Sequence, residues 1–329
     1  MRGLFLLRPD AFGQIYGPAE VAAIEHMVEI YAPPQSAESI QNDPAILRPA
    51  DLILSGWGLP KMDAAFLALA PHLQAVFYGA GSVKGIVTDA FWERGIQITS
   101  AAAANAVPVV EYTLSQILFC LKLGWRHALE IKQEQRYPGR HSVLGAYGRT
   151  VGIVSLGLIG RRVCEMLRPF DLQVIAYDPF ISQSEAATLD AELVTLAELF
   201  QRADVVSLHT PWLKETEGLI TGAHFAAMKP DAAFINTARG AIVREDELIT
   251  VLQQRPDIQA VLDVTYPEPP VAGSPLYTLP NVILTPHIAG SMNGECRRMG
   301  RMMVDELARF VKAQPLQWAV TPAKEAVSA

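Results

Sequence analysis

Residues 150–180 read TVGIVSLGLIGRRVCEMLRPFDLQVIAYDPF, and their pattern sets the architecture of the chain. The short, β-branched run Val151–Val154 predicts a buried parallel strand. A glycine-bearing turn follows at 155–160, and then a helix from Arg161 to Phe170. The run Leu172–Tyr177 predicts a second strand. This order is one βαβ unit, which indicates a doubly wound α/β fold.

The turn lies at the carboxyl end of the first strand, where the backbone N–H groups and the helix N-terminus form a site for a pyrophosphate. The residues expected to line this site are Ser155, Gly157, Leu158, Ile159 and Gly160. Glycine turns also occur wherever a strand packs closely on a helix. The flanking strand and helix, with an acidic residue after the second strand, favour dinucleotide binding.

Ser155 occupies the position of the first glycine in the G-x-G-x-x-G pattern. A serine is expected to fit there if its φ stays negative. Asp178 ends the second strand, where its carboxylate can accept hydrogen bonds from an adenosine ribose. The same charge repels a 2′-phosphate, so the sequence predicts NAD rather than NADP.

The composition is that of a water-soluble protein with a large core, because half of the 329 residues are apolar and only 19% are charged. The length predicts two domains. A net charge of −7 without a basic run argues against nucleic-acid binding. Three scattered cysteines, Cys120, Cys164 and Cys296, lack metal-ligand spacing and are each more typical of a small buried hydrophobe than of a nucleophile. We therefore expect no metal.

Targeting segments are not expected. Leu4–Leu7 is too short for the core of a signal peptide, and no run was expected to reach the length of a membrane span. A cytoplasmic protein without a membrane partner is the prediction.

The first hundred residues alternate short apolar runs with helical patterns, which predicts a small parallel sheet covered on both faces. The expected strands are Gly3–Leu7, Val28–Tyr31, Asp51–Leu54, Leu73–Tyr78 and Ile96–Thr99. Two glycine-rich segments follow strand ends, where ligands bind. Trp57 could form the wall of a pocket or be a partly buried surface residue. The turn at 79–82 could offer N–H groups to an anion or be an ordinary glycine turn.

A long, mostly buried helix is expected from Asn105 to about Gln135, with Pro108 near its start, where a helix tolerates proline. It could join two domains or bury a subunit interface. Beyond Asp178, four further apolar runs complete a six-stranded sheet. A last long helix is expected at 292–312 and can return to the first domain.

Three polar residues follow strand ends on the side expected for ligand: Arg239, Glu268 and His287. Each alone could be a solvated or capping side chain. Together they suit reduction of a 2-keto acid, because histidine donates a proton in the useful pH range and a carboxylate fixes its tautomer. The planar guanidinium of arginine binds a carboxylate with two hydrogen bonds.

The chain resembles the D-2-hydroxyacid dehydrogenase family over nearly its whole length, through VGIVSLGLIG, YDP, SLHTP, MKPDAAFINTARG, LDVTYPEP and TPHIAG, in family order. The resemblance implies a Rossmann dinucleotide-binding domain at 101–288 and a smaller flavodoxin-like substrate domain at 1–100 plus 289–329. It also implies NAD as cofactor, a small 2-keto or D-2-hydroxy acid as substrate, and a homodimer.

The resemblance assigns catalysis to Arg239, Glu268 and His287, with His287 as acid–base, Glu268 as its partner and Arg239 gripping the substrate. Asp263 would hold the nicotinamide carboxamide. The other implied cofactor contacts are Thr210, Pro211, Thr237 and Ala238. The implied substrate contacts are Trp57, Ala80 and Gly81, with Arg239 and His287.

Several features narrow the function within the family. Val83 replaces an aspartate that many relatives carry, which leaves substrate choice open. Glu268 argues against the formate dehydrogenase branch, which has a glutamine there. The end of the chain at Ala329 weakens a phosphoglycerate dehydrogenase interpretation. A glyoxylate or hydroxypyruvate reductase is the main expectation, and an NAD-sensing corepressor without turnover is the alternative.

Overall fold

The computed structural model describes residues 1–139, 143 and 145–327. The chain divides into two compact units, which we call unit 1 and unit 2. Unit 1 comprises Met1–Ala106 and Ser291–Ala329, and unit 2 comprises Val107–Gly290. The first unit is thus built from both ends of the chain. The expected domain boundaries were at 100/101 and 288/289.

Unit 1 contains a six-stranded sheet whose strands are β1 (Arg2–Leu6), β2 (Glu29–Ile30), β3 (Leu52–Ser55), β4 (Ala75–Tyr78), β5 (Gln97–Ser100) and β13 (Ala319–Val320). Their order is β13-β5-β4-β3-β1-β2, and only β13 is antiparallel to its neighbour. The order 2-1-3-4-5 of the parallel strands is that of flavodoxin-like folds. The expected strands are found within two residues at each end.

The helices of unit 1 are α1 (Pro9–Ile15), α2 (Pro18–Glu25), α3 (Ala37–Asn42), α4 (Ala64–Leu69), α5 (Asp89–Glu93), α13 (Cys296–Val311) and α14 (Pro322–Val327). Side-chain caps set several starts, as where Asp63 Oδ1 accepts from Phe66 N (2.9 Å). One core packs against α3–α5 and the other against α1, α2 and α13. Helix α13 lies so close to α1 that a Cβ at Gly300 would overlap the carbonyl oxygen of Ile15.

Unit 2 contains a parallel seven-stranded sheet: β6 (Arg149–Val154), β7 (Leu172–Tyr177), β8 (Ala191–Leu193), β9 (Val205–Leu208), β10 (Ala233–Asn236), β11 (Gln259–Leu262) and β12 (Val282–Leu284). The order β12-β11-β10-β9-β6-β7-β8 is the dinucleotide-binding order 3-2-1-4-5-6 with one more strand. The two expected parallel-sheet domains are confirmed. The expectation of six strands in this sheet is wrong, because the short edge strand β8 reads Ala-Glu-Leu and has no continuous apolar run.

The helices of unit 2 are α7 (Gly124–Glu134), α8 (Leu158–Leu167), α9 (Gln183–Ala187), α10 (Leu196–Arg202), α11 (Gly222–Ala226) and α12 (Glu245–Gln254), together with the later part of α6 (Ala102–Leu121). One face of the sheet packs under α10–α12. The other face packs under α6 and α8. Apolar residues alternate between the two faces, as expected for strands covered on both sides.

The single helix expected from Asn105 to about Gln135 is in fact two helices, α6 and α7. The chain breaks at the buried Leu123, whose φ is +50°, and i to i−3 hydrogen bonds tighten the end of α6. Because α6 begins at Ala102, Pro108 lies beyond its first turn. Because proline has no backbone N–H, Pro108 removes one hydrogen bond from inside the helix. In the sequence it lies two residues after Ala106, where the first segment of unit 1 ends.

Helix α6 also meets the length and composition criteria for a membrane span. We expected no segment as long as a membrane span. By length and composition, α6 shows that this expectation is wrong. More than half of its most apolar window is buried inside the protein, as in the core helix of a globular domain.

Candidate active site

The carboxyl ends of the parallel strands in unit 2 bring the predicted cofactor and catalytic residues to one edge of the sheet. Ser155 follows β6, and Thr210 follows β9. The remaining positions follow β10, β11 and β12: Thr237, Ala238, Arg239, Asp263 and His287. The chain reverses its direction of strand addition between β6 and β9. Ligands of such sheets bind at this switch point.

The turn after β6 departs from expectation at Ser155. Its φ is +77°, so the prediction that serine would fit there with a negative φ is wrong. The left-handed region is costly for a residue with a Cβ. The position is held because Ser155 N donates to Tyr177 O (2.8 Å) and Ser155 Oγ donates to Asp178 Oδ2 (3.3 Å).

The two glycines of this turn have different roles. A Cβ at Gly160 would overlap the carbonyl oxygen of Ser155, so glycine allows α8 to approach β6 closely. Gly157 has an ordinary extended backbone (φ −74°, ψ −160°), and a Cβ there would meet no atom within 4 Å. Glycine at this position therefore keeps open space in front of the N-terminus of α8. That space suits a pyrophosphate, since the first N–H groups of a helix have no intrahelical partner.

Asp178 joins the end of β7 to the same turn. Its Oδ2 accepts a hydrogen bond from Leu156 N (2.8 Å), and its Oδ1 accepts one from Phe180 N (2.9 Å). With the bond from Ser155, three of about four acceptor positions of the carboxylate are used. Asp178 thus shapes the turn and keeps an acceptor position for a ribose hydroxyl. The residues present fit a dinucleotide without a 2′-phosphate.

The predicted histidine–carboxylate pair is formed in unit 2. His287 Nδ1 lies 2.7 Å from Glu268 Oε1, and both side chains are nearly half exposed (47% and 42%). His287 has a φ of +56°, a backbone region in which histidine is tolerated better than most residues. Because Glu268 occupies Nδ1, the other ring nitrogen, Nε2, is left for a substrate.

Arg239 lies on the loop after β10 and is mostly buried. Burial lowers the pKa of its guanidinium, and the nearby charge of Glu268 opposes that shift. Its Nη1 donates to Ala238 O (2.6 Å). An arginine stays protonated in proteins, so Arg239 places a fixed positive charge near the histidine–carboxylate pair.

Two residues that sequence reasoning missed hold this loop. Asn236 Oδ1 accepts from Ala238 N (3.0 Å), and its Nδ2 donates to Arg239 O (3.1 Å). A Cβ at Gly240 would overlap the peptide between Thr265 and Tyr266. Both lie inside the INTARG segment that signalled the loop, but only the contacts show which of its residues shape it.

Asp263 is 2% exposed and binds the loop that carries His287. Its Oδ1 accepts from Thr285 Oγ1 (2.6 Å) and Ile288 N (2.9 Å), and its Oδ2 accepts from Ala289 N (2.9 Å). One acceptor position remains for the predicted carboxamide contact. The observed contacts show that Asp263 also orders the His287 loop.

His209 is a further polar residue at this edge that sequence reasoning did not single out, although it precedes Thr210 and Pro211. Its backbone N–H donates to Val154 O (2.9 Å), and its ring Nε2 lies 2.9 Å from Ser207 Oγ. Burial lowers the pKa of His209 to about 3. The ring is therefore neutral at physiological pH.

The predicted substrate contacts Trp57, Ala80 and Gly81 lie in unit 1, after β3 and β4. Ser100 Oγ lies 3.1 Å from the carbonyl oxygen of Ala80 and 2.5 Å from that of Gly81, so its single proton is shared between them and holds the glycine turn. Val83 is buried in an apolar cluster of unit 1, an environment in which an unpaired carboxylate would be costly.

Within residues 1–139, 143 and 145–327, no group of histidine, cysteine and acidic residues could hold a metal ion. The three cysteines are buried and free. Burial raises the pKa of Cys120 and of Cys164 to about 12, so neither thiol is a nucleophile at neutral pH.

Comparison with known proteins identifies the family. Residues 116–289 match the family described as D-isomer specific 2-hydroxyacid dehydrogenase, NAD binding domain. The (S)-sulfolactate dehydrogenase of Chromohalobacter salexigens is 36% identical over 76% of this chain and 81% of that protein. The D-3-phosphoglycerate dehydrogenase of Archaeoglobus fulgidus is 30% identical over 79% of this chain and 49% of that protein.

The chain thus spans about half the length of the phosphoglycerate dehydrogenases that it matches. Among solved structures, a D-lactate dehydrogenase of Aquifex aeolicus complexed with NAD and lactic acid aligns with 94% of this chain and 96% of its own, with a TM-score of 0.70 and 25% identity. On the strength of the family match and the relatives, this chain belongs to the D-isomer specific 2-hydroxyacid dehydrogenases.

Proposed function

We propose that this protein is an NAD-dependent dehydrogenase that reduces a small 2-keto acid of the glyoxylate or hydroxypyruvate type to the D-2-hydroxy acid. The observation that carries the proposal is the 2.7 Å contact between His287 Nδ1 and Glu268 Oε1, with the guanidinium of Arg239 near the same carboxylate. These three groups supply a proton donor, its partner and a carboxylate binder.

His287 acts as the proton donor in the reductive direction. Glu268 accepts the hydrogen bond from Nδ1–H, which sets the tautomer and the orientation of the ring. Nε2–H then donates its proton to the keto oxygen as the carbonyl carbon is reduced. In the oxidative direction, Nε2 takes the proton of the hydroxyl group.

Arg239 binds the carboxylate of the substrate, and its charge polarises the neighbouring carbonyl group. Because the guanidinium is mostly buried, its charge acts in a region with less screening by water. Within unit 1, the glycine turn at Ala80 and Gly81 is proposed separately to offer N–H groups to an anion.

When bound, NADH would supply the hydride in the reductive direction. The turn at 155–160 and the N-terminus of α8 would hold its pyrophosphate, and Asp178 would accept from the adenosine ribose. Thr210, Pro211, Thr237 and Ala238 would border the cofactor, and Asp263 would accept from the carboxamide. The open space at Gly157 supports this assignment.

The size of the keto acid is the finer part of the proposal. The relatives are named for 3-phosphoglycerate, sulfolactate and lactate, which share a 2-hydroxy acid and differ in the substituent. A panel of glyoxylate, hydroxypyruvate, pyruvate, phenylpyruvate, 3-phosphohydroxypyruvate and sulfopyruvate therefore tests it, with NADH oxidation as the readout. The highest kcat/KM is expected for glyoxylate or hydroxypyruvate.

A preference for the phosphorylated or sulfonated acid would replace this substrate assignment and keep the reaction class. Negligible turnover of every acid, with normal NADH binding, would instead favour the NAD-sensing corepressor alternative.

We also propose that the protein is a cytoplasmic homodimer that binds neither nucleic acid nor membranes. The net charge of −7 supports the absence of nucleic acid. Phe119 on α6 and Leu129 on α7 are large apolar side chains at the surface (42% and 37% exposed), which a second copy could cover. Sedimentation equilibrium should give twice the mass of the chain, and a monomer at micromolar concentration would contradict the dimer.

A further inference from the structure

Helix α6 places two neighbouring hydroxyl groups over the catalytic edge of the unit 2 sheet. Tyr112 Oη lies 3.0 Å from Thr285 Oγ1, and Thr113 Oγ1 lies 3.2 Å from Thr237 Oγ1. Thr285 and Thr237 follow β12 and β10, the strands that lead to His287 and Arg239. The helix therefore contacts both loops that carry catalytic groups, through polar rather than apolar contacts.

The direction of the Tyr112 contact follows from the partners of Thr285. Thr285 Oγ1 lies 2.6 Å from Asp263 Oδ1, and an ionised carboxylate only accepts hydrogen bonds. The single hydroxyl proton of Thr285 is therefore donated to Asp263. Tyr112 must donate to Thr285, and burial supports this because it raises the pKa of the Tyr112 phenol and keeps it protonated.

This hydrogen-bond chain continues to His287. Besides the bonds from Ile288 and Ala289 to its carboxylate, Asp263 accepts a bond from His287 N to its carbonyl oxygen (3.0 Å). His287 is held at a φ of +56°, and such backbone conformations persist only where the surroundings fix them. Asp263 provides this fixation together with the carbonyl oxygen of Thr285, which also accepts from His287 N (3.0 Å). Thr285 Oγ1 in turn is one of the donors that orient the Asp263 carboxylate.

We propose that Tyr112 is a positioning residue for His287, acting through Thr285 and Asp263. It touches neither the substrate nor the reacting atoms. This inference rests on the proposed function of His287 as proton donor. Loss of the Tyr112 hydroxyl frees Thr285 to rotate, loosens the Asp263 carboxylate and lets the His287 loop drift from its productive position, a kind of displacement that reduces turnover more than binding.

The test is the variant Tyr112→Phe, which removes only the hydroxyl group. The kcat for reduction should fall about tenfold, while the Kd for NADH changes less than about twofold. Tyr31→Phe is the matched control, because its hydroxyl also donates to a partly buried partner, Ile46 O (2.7 Å). Tyr31 lies in unit 1 and takes no part in the hydrogen-bond chain from Tyr112 to His287. It should leave kcat unchanged.

Thr285 provides the rescue experiment. Thr285→Val should lower kcat at least as far as Tyr112→Phe, whereas Thr285→Ser keeps the hydroxyl and should stay within about twofold of the parent protein. Because both residues act in one chain, the double variant Tyr112→Phe/Thr285→Val should be no slower than Thr285→Val alone. A normal kcat in Tyr112→Phe, multiplying losses in the double variant, or a Thr285→Ser variant as slow as Thr285→Val would overturn the proposal.

A second readout does not depend on turnover. The ring resonances of His287, assigned by their absence in His287→Gln, should shift in Tyr112→Phe and stay unchanged in Tyr31→Phe. If His287→Gln keeps its activity, the proposed function fails. If His287→Gln is inactive while Tyr112→Phe shows neither the kcat loss nor the shift, only the positioning role fails.

Discussion

Glu268 Oε1 lies 2.7 Å from Nδ1 of His287, and the two side chains stand on loops that follow different strands, β11 and β12. The two residues are 19 positions apart in the sequence, so the sheet itself brings the pair together. The carboxylate accepts from Nδ1–H, which fixes the tautomer of the ring and leaves Nε2 for the proposed proton transfer.

Glu268→Gln keeps the size of the side chain and a hydrogen bond but removes the charge. The amide can present either its oxygen or its NH2 group to Nδ1, so the tautomer and the orientation of the His287 ring are no longer fixed. The kcat for reduction should therefore fall several-fold, while the Kd for NADH changes less than about twofold. A Glu268→Gln variant that keeps the parent kcat would show that Glu268 does not orient His287.

Asp178 holds the glycine turn through Leu156 N, and we expect its charge to set the preference between NADH and NADPH. NADH should be strongly preferred over NADPH. Asp178→Ala should narrow that preference, mainly through the KM values, and should also weaken NADH binding because the turn loses its anchor. Asp178→Asn keeps the shape of the side chain. It should also narrow the preference for NADH over NADPH, but with a smaller loss of NADH binding than Asp178→Ala. Equal kcat/KM values for both cofactors in the unmutated protein would contradict the role of the carboxylate.

Ser155 has a left-handed backbone, so Ser155→Gly has two opposing effects. Glycine removes a conformational cost of about 1–2 kcal/mol, but it adds roughly 0.5–1 kcal/mol of unfolded-state entropy and loses the bond to Asp178. The free energy of unfolding should change by less than about 1 kcal/mol, and NADH affinity by less than about threefold. Calorimetric titration checks the affinity, and a tenfold gain would show that the Cβ crowds the pyrophosphate.

His209 makes stability depend on pH. Its folded pKa of about 3 lies below the unfolded value of 6.5, so the unfolded state alone binds a proton between these values. Stability therefore falls as pH falls from 6.5 towards 3, by about 1.4 kcal/mol per pH unit from this group. Between pH 6.5 and 5, the free energy of unfolding of His209→Gln should therefore fall by about 2 kcal/mol less than that of the parent protein. The free energy of unfolding in urea, measured at pH 6.5 and at pH 5, checks this prediction. Equal losses in the variant and the parent protein would refute a lowered pKa for His209.

Much of the fold follows from sequence because buried parallel strands leave continuous apolar runs. The runs at Val151–Val154 and Leu172–Tyr177 located β6 and β7 closely. The edge strand β8 has three residues and no such run. The break at Leu123 was missed because a left-handed leucine has no signal in the sequence.

The placement of the candidate site residues at one edge of the sheet follows from sequence for a related reason. Arg239, Glu268 and His287 could be named because polar residues after parallel strands share one edge of the sheet. The contact between Tyr112 and Thr285 joins residues 173 positions apart, and nothing in the local pattern of either residue predicts it. The positive φ of Ser155 was also hidden, because its cost is offset by contacts with Tyr177 and Asp178.

The proton transfer by His287 is measured most directly with His287→Gln, using the best keto acid of the panel and NADH binding as the control. General acid catalysis is worth about 10²–10⁴-fold, so kcat for reduction should fall by at least about 100-fold at every pH between 5 and 8. The Kd for NADH should remain within about twofold of the parent value. A variant that binds NADH normally and keeps a third or more of the parent kcat would contradict the account.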